Sequence, residues 1–380
     1  MKYVDEYRDG AAAKRVAEAI SREAASGRTY HFMEFCGGHT HAISRYGILD
    51  LLPGNVEMIH GPGCPVCVLP VGQIDSAIRL ARNPDVTLCT YADLMRVPAS
   101  GRSSLMKAKA AGADIRMVYS TLDAIRIAEA EPERQVVFFA IGFETTTPPT
   151  ALAIKAAAAK GLRNLSVFCN HVLTPAAIAA ILADEGAGGV KLEGFVGPAH
   201  VSTVIGTKPY EPFAEPFAET YAKPVVISGF EPLDVMQSIL MLVRQVNEGR
   251  AEVENQYIRA VTRVGNEIAQ AQVADVFERR DTFEWRGLGE IPASALKIRD
   301  AYAVFDAERR FAMDYVPAPD NPACDCGDIL RGVKKPVDCK LFGSACTPES
   351  PMGSCMVSSE GACAAHWTYG RFRDGQRKSA

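Results

Sequence analysis

Six of the eleven cysteines in this chain fall between Cys324 and Cys363. The segment that holds them is rich in turn residues and shows little hydrophobic periodicity. A stretch like that cannot bury enough apolar surface to hold itself together and needs a staple. A metal ion or cluster supplies one. The cysteine count is odd, and in a reducing compartment such crowding points to metal or redox chemistry rather than to a disulfide framework. Six thiols exceed the four that one [4Fe–4S] cluster or one zinc ion takes, which leaves two as a potential redox pair. Both metals accept four thiolates. Iron–sulfur is the preferred reading, and a zinc-stapled scaffold without redox activity is the other.

The rest of the chain has a different rhythm. Residues 11–25 read as an Ala-rich helix. From residue 30, short apolar runs end in Gly, Pro or polar turns and are followed by helical patterns. Candidate strands are Tyr30–Phe35, Val56–Ile59, Val86–Cys89, Ile115–Tyr119, Val136–Ile141, Leu165–Phe168, Leu192–Val196 and Val225–Ile227. Candidate helices lie near 71–82, 103–111, 121–130, 150–160, 175–184 and 232–248. Strands alternating with helices of this length predict parallel α/β sheets. The predicted class is α/β, with two small parallel-sheet α/β domains plus a Cys-rich iron–sulfur domain. The expected division is a helix at 1–29 packing on the rest, a first α/β domain at 30–133, a second at 134–250, and a helical and Cys-rich domain at 251–380. Tyr257, Val261, Val264 and Ile268 recur at helical spacing and predict one long amphipathic helix over 251–278. Residues 316–323 form a Pro-rich linker.

Two glycine-rich loops carry the sharper chemistry. The first is Glu34-Phe-Cys36-Gly-Gly-His39-Thr-His41, between a strand and a helix start. Paired glycines let backbone N–H groups turn toward a ligand, and a helix N-terminus favours an anion. A thiol there is expected to shift toward thiolate, the form that binds metals. The plain alternative for Cys36 is a small buried hydrophobe. His39 and His41 could act as ligand or acid, or merely cap the helix. The second loop is His60-Gly-Pro-Gly-Cys64-Pro-Val-Cys67. Its Cys-x-x-Cys is a redox dithiol or half of a metal site. No second Cys-x-x-Cys exists in the chain, which disfavours a four-cysteine zinc ribbon.

Softer candidates are Glu144, His171, His200 and Glu231, at predicted strand ends where open α/β sheets bind ligands. Gly142-Phe-Glu144 and Gly229-Phe-Glu231 recur as a weak internal repeat. Thr147 reads as a helix N-cap with Pro148 in the first turn. Cys89 and Cys169 read as buried core. No nucleotide-binding loop of either common type occurs. Net charge is 41 minus 45, or -4, with no like-charge block, so nothing marks a nucleic-acid or membrane-surface partner. The longest apolar stretches, such as Val136 to Ile141, fall far short of the roughly 20 residues a membrane span needs. The first residues lack the apolar core of a signal peptide, and a cytoplasmic protein is expected.

Together these motifs resemble the HypD family of hydrogenase maturation factors. The resemblance rests on Cys36-Gly-Gly-His-Thr-His, Gly61-Pro-Gly-Cys-Pro-Val-Cys67 and Gly142-Phe-Glu-Thr-Thr146. It also rests on the stretch from Cys324 through Asp338-Cys-Lys-Leu-Phe-Gly343 and Cys346-Thr-Pro-Glu to Cys355-Met-Val-Ser-Ser-Glu-Gly-Ala-Cys363. It implies two α/β domains and an iron–sulfur domain. It implies a scaffold that pairs with a small HypC-like protein and holds one iron atom while cyanide and carbon monoxide are attached. A HypE-like protein would deliver the cyanide, with HypF acting upstream, and the large subunit of [NiFe]-hydrogenase would receive the product. Carried onto this chain, Cys36 is an iron ligand and Cys64 with Cys67 the nearby dithiol. The spacing C-x14-C-x6-C-x16-C makes Cys324, Cys339, Cys346 and Cys363 the cluster ligands. Cys326 and Cys355 are then the spare pair, with Cys326 able to replace Cys324. His39, His41 and the amides of Gly37 and Gly38 are the expected donors to iron-bound cyanide. The competing function is a free-standing iron–sulfur thiol–disulfide reductase in which Cys36 has no part.

Overall fold

The eight apolar runs all form strands, and a ninth joins them. The computed structural model describes residues 5–186, 189–214 and 221–370. The strands are β1 (Tyr30–Glu34), β2 (Val56–His60), β3 (Val86–Thr90), β4 (Ile115–Met117), β5 (Gln135–Gly142), β6 (Leu165–His171), β7 (Gly194–Pro198), β8 (Val225–Ser228) and β9 (Val253–Asn255). They pair in parallel as two sheets, β2-β1-β7-β8-β9 and β4-β3-β5-β6. Counted within its own sheet, each set begins in the order 2-1-3-4. In open sheets of this order, ligands bind where neighbouring strands send their connections to opposite sides. Those switch points fall between β1 and β7 in one sheet and between β3 and β5 in the other.

The sheets do not divide the chain at 133/134. The strand β5, expected in the second domain, pairs with β3 of the first. The strand β7 pairs with β1, which closes the five-stranded sheet around an inserted four-stranded one. Local patterning identifies strands but not partners, because a strand's neighbours are chosen by packing across long stretches of chain.

Helices α2 (Gly37–Arg45), α3 (Pro65–Val68), α4 (Val71–Ala81), α5 (Leu105–Ala110), α6 (Thr121–Ala130), α7 (Thr147–Ala159), α8 (Thr174–Gly186), α9 (Ala199–Ile205) and α10 (Pro232–Glu248) fill the connections between strands, α1 (Gly10–Glu23) precedes them and α11 (Glu267–Val276) follows. Asp9 caps α1 by accepting from the N–H groups of Ala11 and Ala12. Ala17 and Ile20 of α1 share a core with Val235, Ile239 and Val243 of α10. Side chains alternate across the sheets as strand geometry requires. Val226 faces the α1 and α10 side, whereas Val225 and Ile227 face Ile178 and Leu182 of α8. Each fully buried large apolar side chain contributes about 2 kcal/mol. The Cys-rich tail packs on the inserted sheet, where Cys326, Cys355 and Met356 join Leu88, Val137 and Phe139 in one core.

The long helix expected over 251–278 is replaced by β9, a loop and the ten residues of α11. Gly265 lies between them at a positive φ of 71°. Val261 packs into the five-stranded sheet's core, but Ile268 is 77% exposed, so the apolar recurrence does not lie on one face. The helix at Thr147 is capped by Thr146, one residue earlier than expected, and Thr147 is its first helical residue.

Candidate functional site

The switch point between β1 and β7 is where Cys36 and His200 meet. Cys36 is the residue before α2, and His200 is the second residue of α9. The Cys36 Sγ lies 3.5 Å from His200 Nδ1. Burial pushes the His200 imidazole down to about 4, so it is neutral near pH 7. Below them sits Glu34, a fully buried carboxylate at the end of β1. The parallel register sets Glu34 beside His60, and His60 Nδ1 lies 2.9 Å from Glu34 Oε1. Glu34 also accepts from the Thr40 hydroxyl and, at 2.8 Å, from the Cys36 backbone N–H. One carboxylate therefore pins the Cys36 loop, α2 and the end of β2.

The two glycine-rich loops touch. The Gly37 N–H donates to the Gly63 carbonyl at 3.2 Å. A Cβ on Gly63 would stand 2.2 Å from the Cys36 backbone nitrogen, so only glycine permits this approach. Cys64 and Cys67 are joined as a disulfide, with their Cα atoms 5.2 Å apart. Both lie in the core.

Cys36 departs from its expected ionisation. The thiol is 2% exposed, and burial pushes it well up, with the carboxylates of Glu360 and Glu34 adding to the effect. The backbone N–H groups of Gly38 and His39 oppose that shift but do not overcome it. A short helix start cannot outweigh desolvation and two acids.

His39 and His41 point elsewhere. His39 Nε2 lies 3.0 Å from both the Ser228 and Gly229 carbonyls, so that nitrogen carries the proton. Its buried Nδ1 has no hydrogen-bond partner. His41 packs edge-on against Tyr369. Glu144 is buried beside the switch point of the inserted sheet and accepts from the Thr174 N–H and hydroxyl, each at 2.8 Å. Burial raises its carboxyl to about 7. The buried Tyr210 hydroxyl pairs with Ser202, and burial first, then the Glu144 carboxylate and Cys36, push its phenol up. His171 is held by Thr150 at 3.0 Å and Thr146 at 3.3 Å, and burial lowers it to about 4. Glu231 is a helix cap that pairs with Arg8. Cys89 and Cys169 are core residues, both pushed up to about 12 by burial.

The tail thiols ring a cavity. Cys324, Cys326, Cys339, Cys346 and Cys363 line it, together with Ile329, Phe342 and Met356. Cys355 stands behind, and its N–H donates to Cys326 Sγ at 3.2 Å. The Met352 N–H donates to Cys346 Sγ at 3.3 Å. The neighbouring Cys324 and Cys355 thiols hold Cys326 well below the usual thiol range, and contact with Cys326 pushes those two up. Among the described residues, no three Cys, His, Asp or Glu side chains converge as on a single ion. Thiols spread around an apolar hollow, with backbone N–H groups on their sulfurs, fit a cluster that takes one thiolate per iron.

Ser354 joins the two sulfur groups. Its hydroxyl donates to the Cys67 carbonyl at 2.8 Å and lies 3.7 Å from Cys326 Sγ. Sequence reasoning missed Ser354 altogether and gave no role to Glu34. A carboxylate closing an otherwise apolar strand was the available signal for Glu34, whereas a serine between cysteines carries none.

Comparison with known proteins identifies the family. The HypD family profile, described as the hydrogenase formation hypA family, matches residues 11–370. The chain is 71% identical to the hydrogenase maturation factor HypD of Rhizobium leguminosarum bv. viciae, over 100% of this chain and 98% of that protein. It is 67% identical to HypD of Cupriavidus necator, over 98% of both chains. It is 46% identical to HypD of Escherichia coli K12, over 97% of this chain and 98% of that one. With its Cys36, Cys64/Cys67 and tail cysteines all inside the matched region, this chain belongs to the HypD family of hydrogenase maturation factors.

Proposed function

We propose that the chain serves [NiFe]-hydrogenase maturation as a scaffold on which, with a HypC-like partner, one iron atom is held while it acquires cyanide and carbon monoxide. The iron and its diatomics are cargo. The reading rests on one observation: the Cys36 loop is tied to Gly63, and Cys67 is tied through Ser354 to Cys326, so three sulfur groups form a continuous line.

In this reading Cys36 gives the iron one soft ligand, and the partner gives another. The half-buried His200 ring lies 3.5 Å from the Cys36 sulfur, and in this reading it turns aside to admit the iron. The backbone N–H groups of Gly38 and His39 already reach that sulfur and are the nearest donors for a cyanide nitrogen. The His39 and His41 rings are committed to Ser228 and Gly229 carbonyls and to Tyr369, and so position α2 instead.

Cys324, Cys339, Cys346 and Cys363 would hold a [4Fe–4S] cluster, with Cys326 and Cys355 as the spare pair. When bound, such a cluster supplies electrons one at a time. Cys64 and Cys67 take up two electrons and two protons on passing from disulfide to dithiol. Glu144, neutral over much of the range below pH 7, keeps the inserted sheet's switch point uncharged. A HypE-like donor, supplied upstream by HypF, would bring the cyanide, and the hydrogenase large subunit would take the finished unit. The setting is cytoplasmic; no described helix is long and apolar enough to cross a membrane. A free-standing reductase of protein disulfides fits less well, because Cys64 is 3% exposed and Cys67 0%.

The test is Cys36→Ala in a complex co-purified anaerobically with the small partner. Infrared bands of iron-bound cyanide and carbon monoxide are expected to vanish. Their persistence at wild-type intensity would overturn the assignment.

A further inference from the structure

Arg286 is used by no step described so far. It sits in the turn between two antiparallel strands, Thr282–Trp285 and Gly289–Pro292. The residue is only 4% exposed. Its backbone N–H donates to the Val68 carbonyl at 2.8 Å, one residue beyond Cys67. Its Nε donates to Asp320 Oδ1 at 2.6 Å, and Nη2 pairs with the same carboxylate. Its Nη1 is buried and has no hydrogen-bond partner. A cationic N–H is costly to bury without an acceptor, so this position calls for one. The next residue, Gly287, has a φ of 79°, and a Cβ on it would stand 2.6 Å from Gly327 Cα. That contact sets the turn carrying Arg286 against the backbone that follows Cys326.

We propose that Arg286 is a positioning residue for the tail's electron store: its fixed charge and free Nη1–H stabilise the reduced, more negative state of the sulfur cage around Cys324 and Cys326, while its backbone holds the Cys64/Cys67 loop against that cage. This rests on the reading of the tail as a [4Fe–4S] site. Reduction adds one electron and no proton, so a buried positive charge favours it directly. Net charge and hydrogen bonds to sulfur are the levers that set cluster potentials. Asp320 offsets part of the Arg286 charge, so removing either member of the pair acts in opposite directions.

The experiment is an EPR-monitored redox titration of the full chain purified anaerobically. Arg286→Gln is expected to lower the reduced-to-oxidised ratio at a given poise about tenfold, which is ~59 mV for a one-electron couple. Asp320→Asn is expected to raise that ratio. An unchanged potential in Arg286→Gln with full cluster content, or shifts of the same sign in both variants, overturns the proposal. Should Arg286→Gln fail to fold or lose its cluster, Asp320→Asn decides alone: a rise supports the proposal, and no change or a fall overturns it. A wild-type chain without a cluster signal overturns the functional reading itself, before any variant is made.

Discussion

The Gly37 N–H donates to the Gly63 carbonyl, and this bond ties the loop carrying Cys36 to the loop carrying Cys64. The contact works only because neither residue has a side chain there. A Cβ on Gly37 would lie 2.3 Å from Glu360 Cβ, and one on Gly63 would lie 2.2 Å from the Cys36 nitrogen.

Gly63→Ala should therefore push the loops apart. The clash is with backbone, so no side chain can rotate to relieve it. A loss of about 2 kcal/mol is expected, in the range seen for overpacked interiors. Denaturant unfolding of the anaerobic protein measures it. Gly54→Ala is the control, since a Cβ there meets nothing within 4 Å.

Glu34→Ala should cost about 3 kcal/mol, because it leaves His60, Thr40 and the Cys36 N–H without their shared buried acceptor. Glu34→Gln should cost less and restore part of the fold. Thermal unfolding of both variants orders them. Equal stability of wild type and Glu34→Ala would remove the carboxylate from its anchoring role.

The buried Glu144 makes stability depend on pH in a definite direction. Its carboxyl is raised to about 7, so its contribution is fully present below the ordinary carboxylate pKa of about 4.3 and is lost as pH rises through about 7. Relative to Glu144→Gln, the wild type should lose about 3 kcal/mol between those limits. His171, lowered to about 4, works the other way: its contribution is present above about 6.5 and is lost as pH falls through about 4. Unfolding curves from pH 4 to 8 for the wild type, Glu144→Gln and His171→Gln separate the two slopes.

The tail cysteines should divide into two classes. Cys339→Ser or Cys363→Ser should abolish the visible absorbance of the proposed cluster, since each removes one thiol from the cavity wall. Cys355→Ser should leave it intact, because that residue stands behind Cys326. Iron and sulfide analysis of anaerobic preparations reads the outcome. Loss of the cluster in Cys355→Ser would exchange the ligand and spare assignments.

Ser354→Ala should uncouple the dithiol from the tail. It removes the hydroxyl that donates to the Cys67 carbonyl and faces Cys326. A stability cost near 1 kcal/mol is expected. Re-reduction of Cys64/Cys67 should slow with cluster content unchanged, which alkylation followed by mass mapping would show.

Local patterning was enough to find the strands, because runs such as Val136–Ile141 and Val225–Ile227 need no distant partner to be recognised. Spacing along the chain likewise showed six thiols crowded between Cys324 and Cys363, and Cys36 and Cys64/Cys67 in glycine-rich turns beyond strand ends. The return of β7 to β1, which sets His200 on Cys36, emerges only in the folded chain. The same folding buried the Cys36 thiol beside Glu34 and Glu360, reversing the ionisation expected from its helix start. It split the apolar recurrence of 257–268 between core and solvent, and it placed Ser354 and Arg286 between the sulfur groups. The physical reason is range. Propensity and periodicity act over a few residues, whereas desolvation, charge and hydrogen-bond partnership depend on what remote segments bring to the same point.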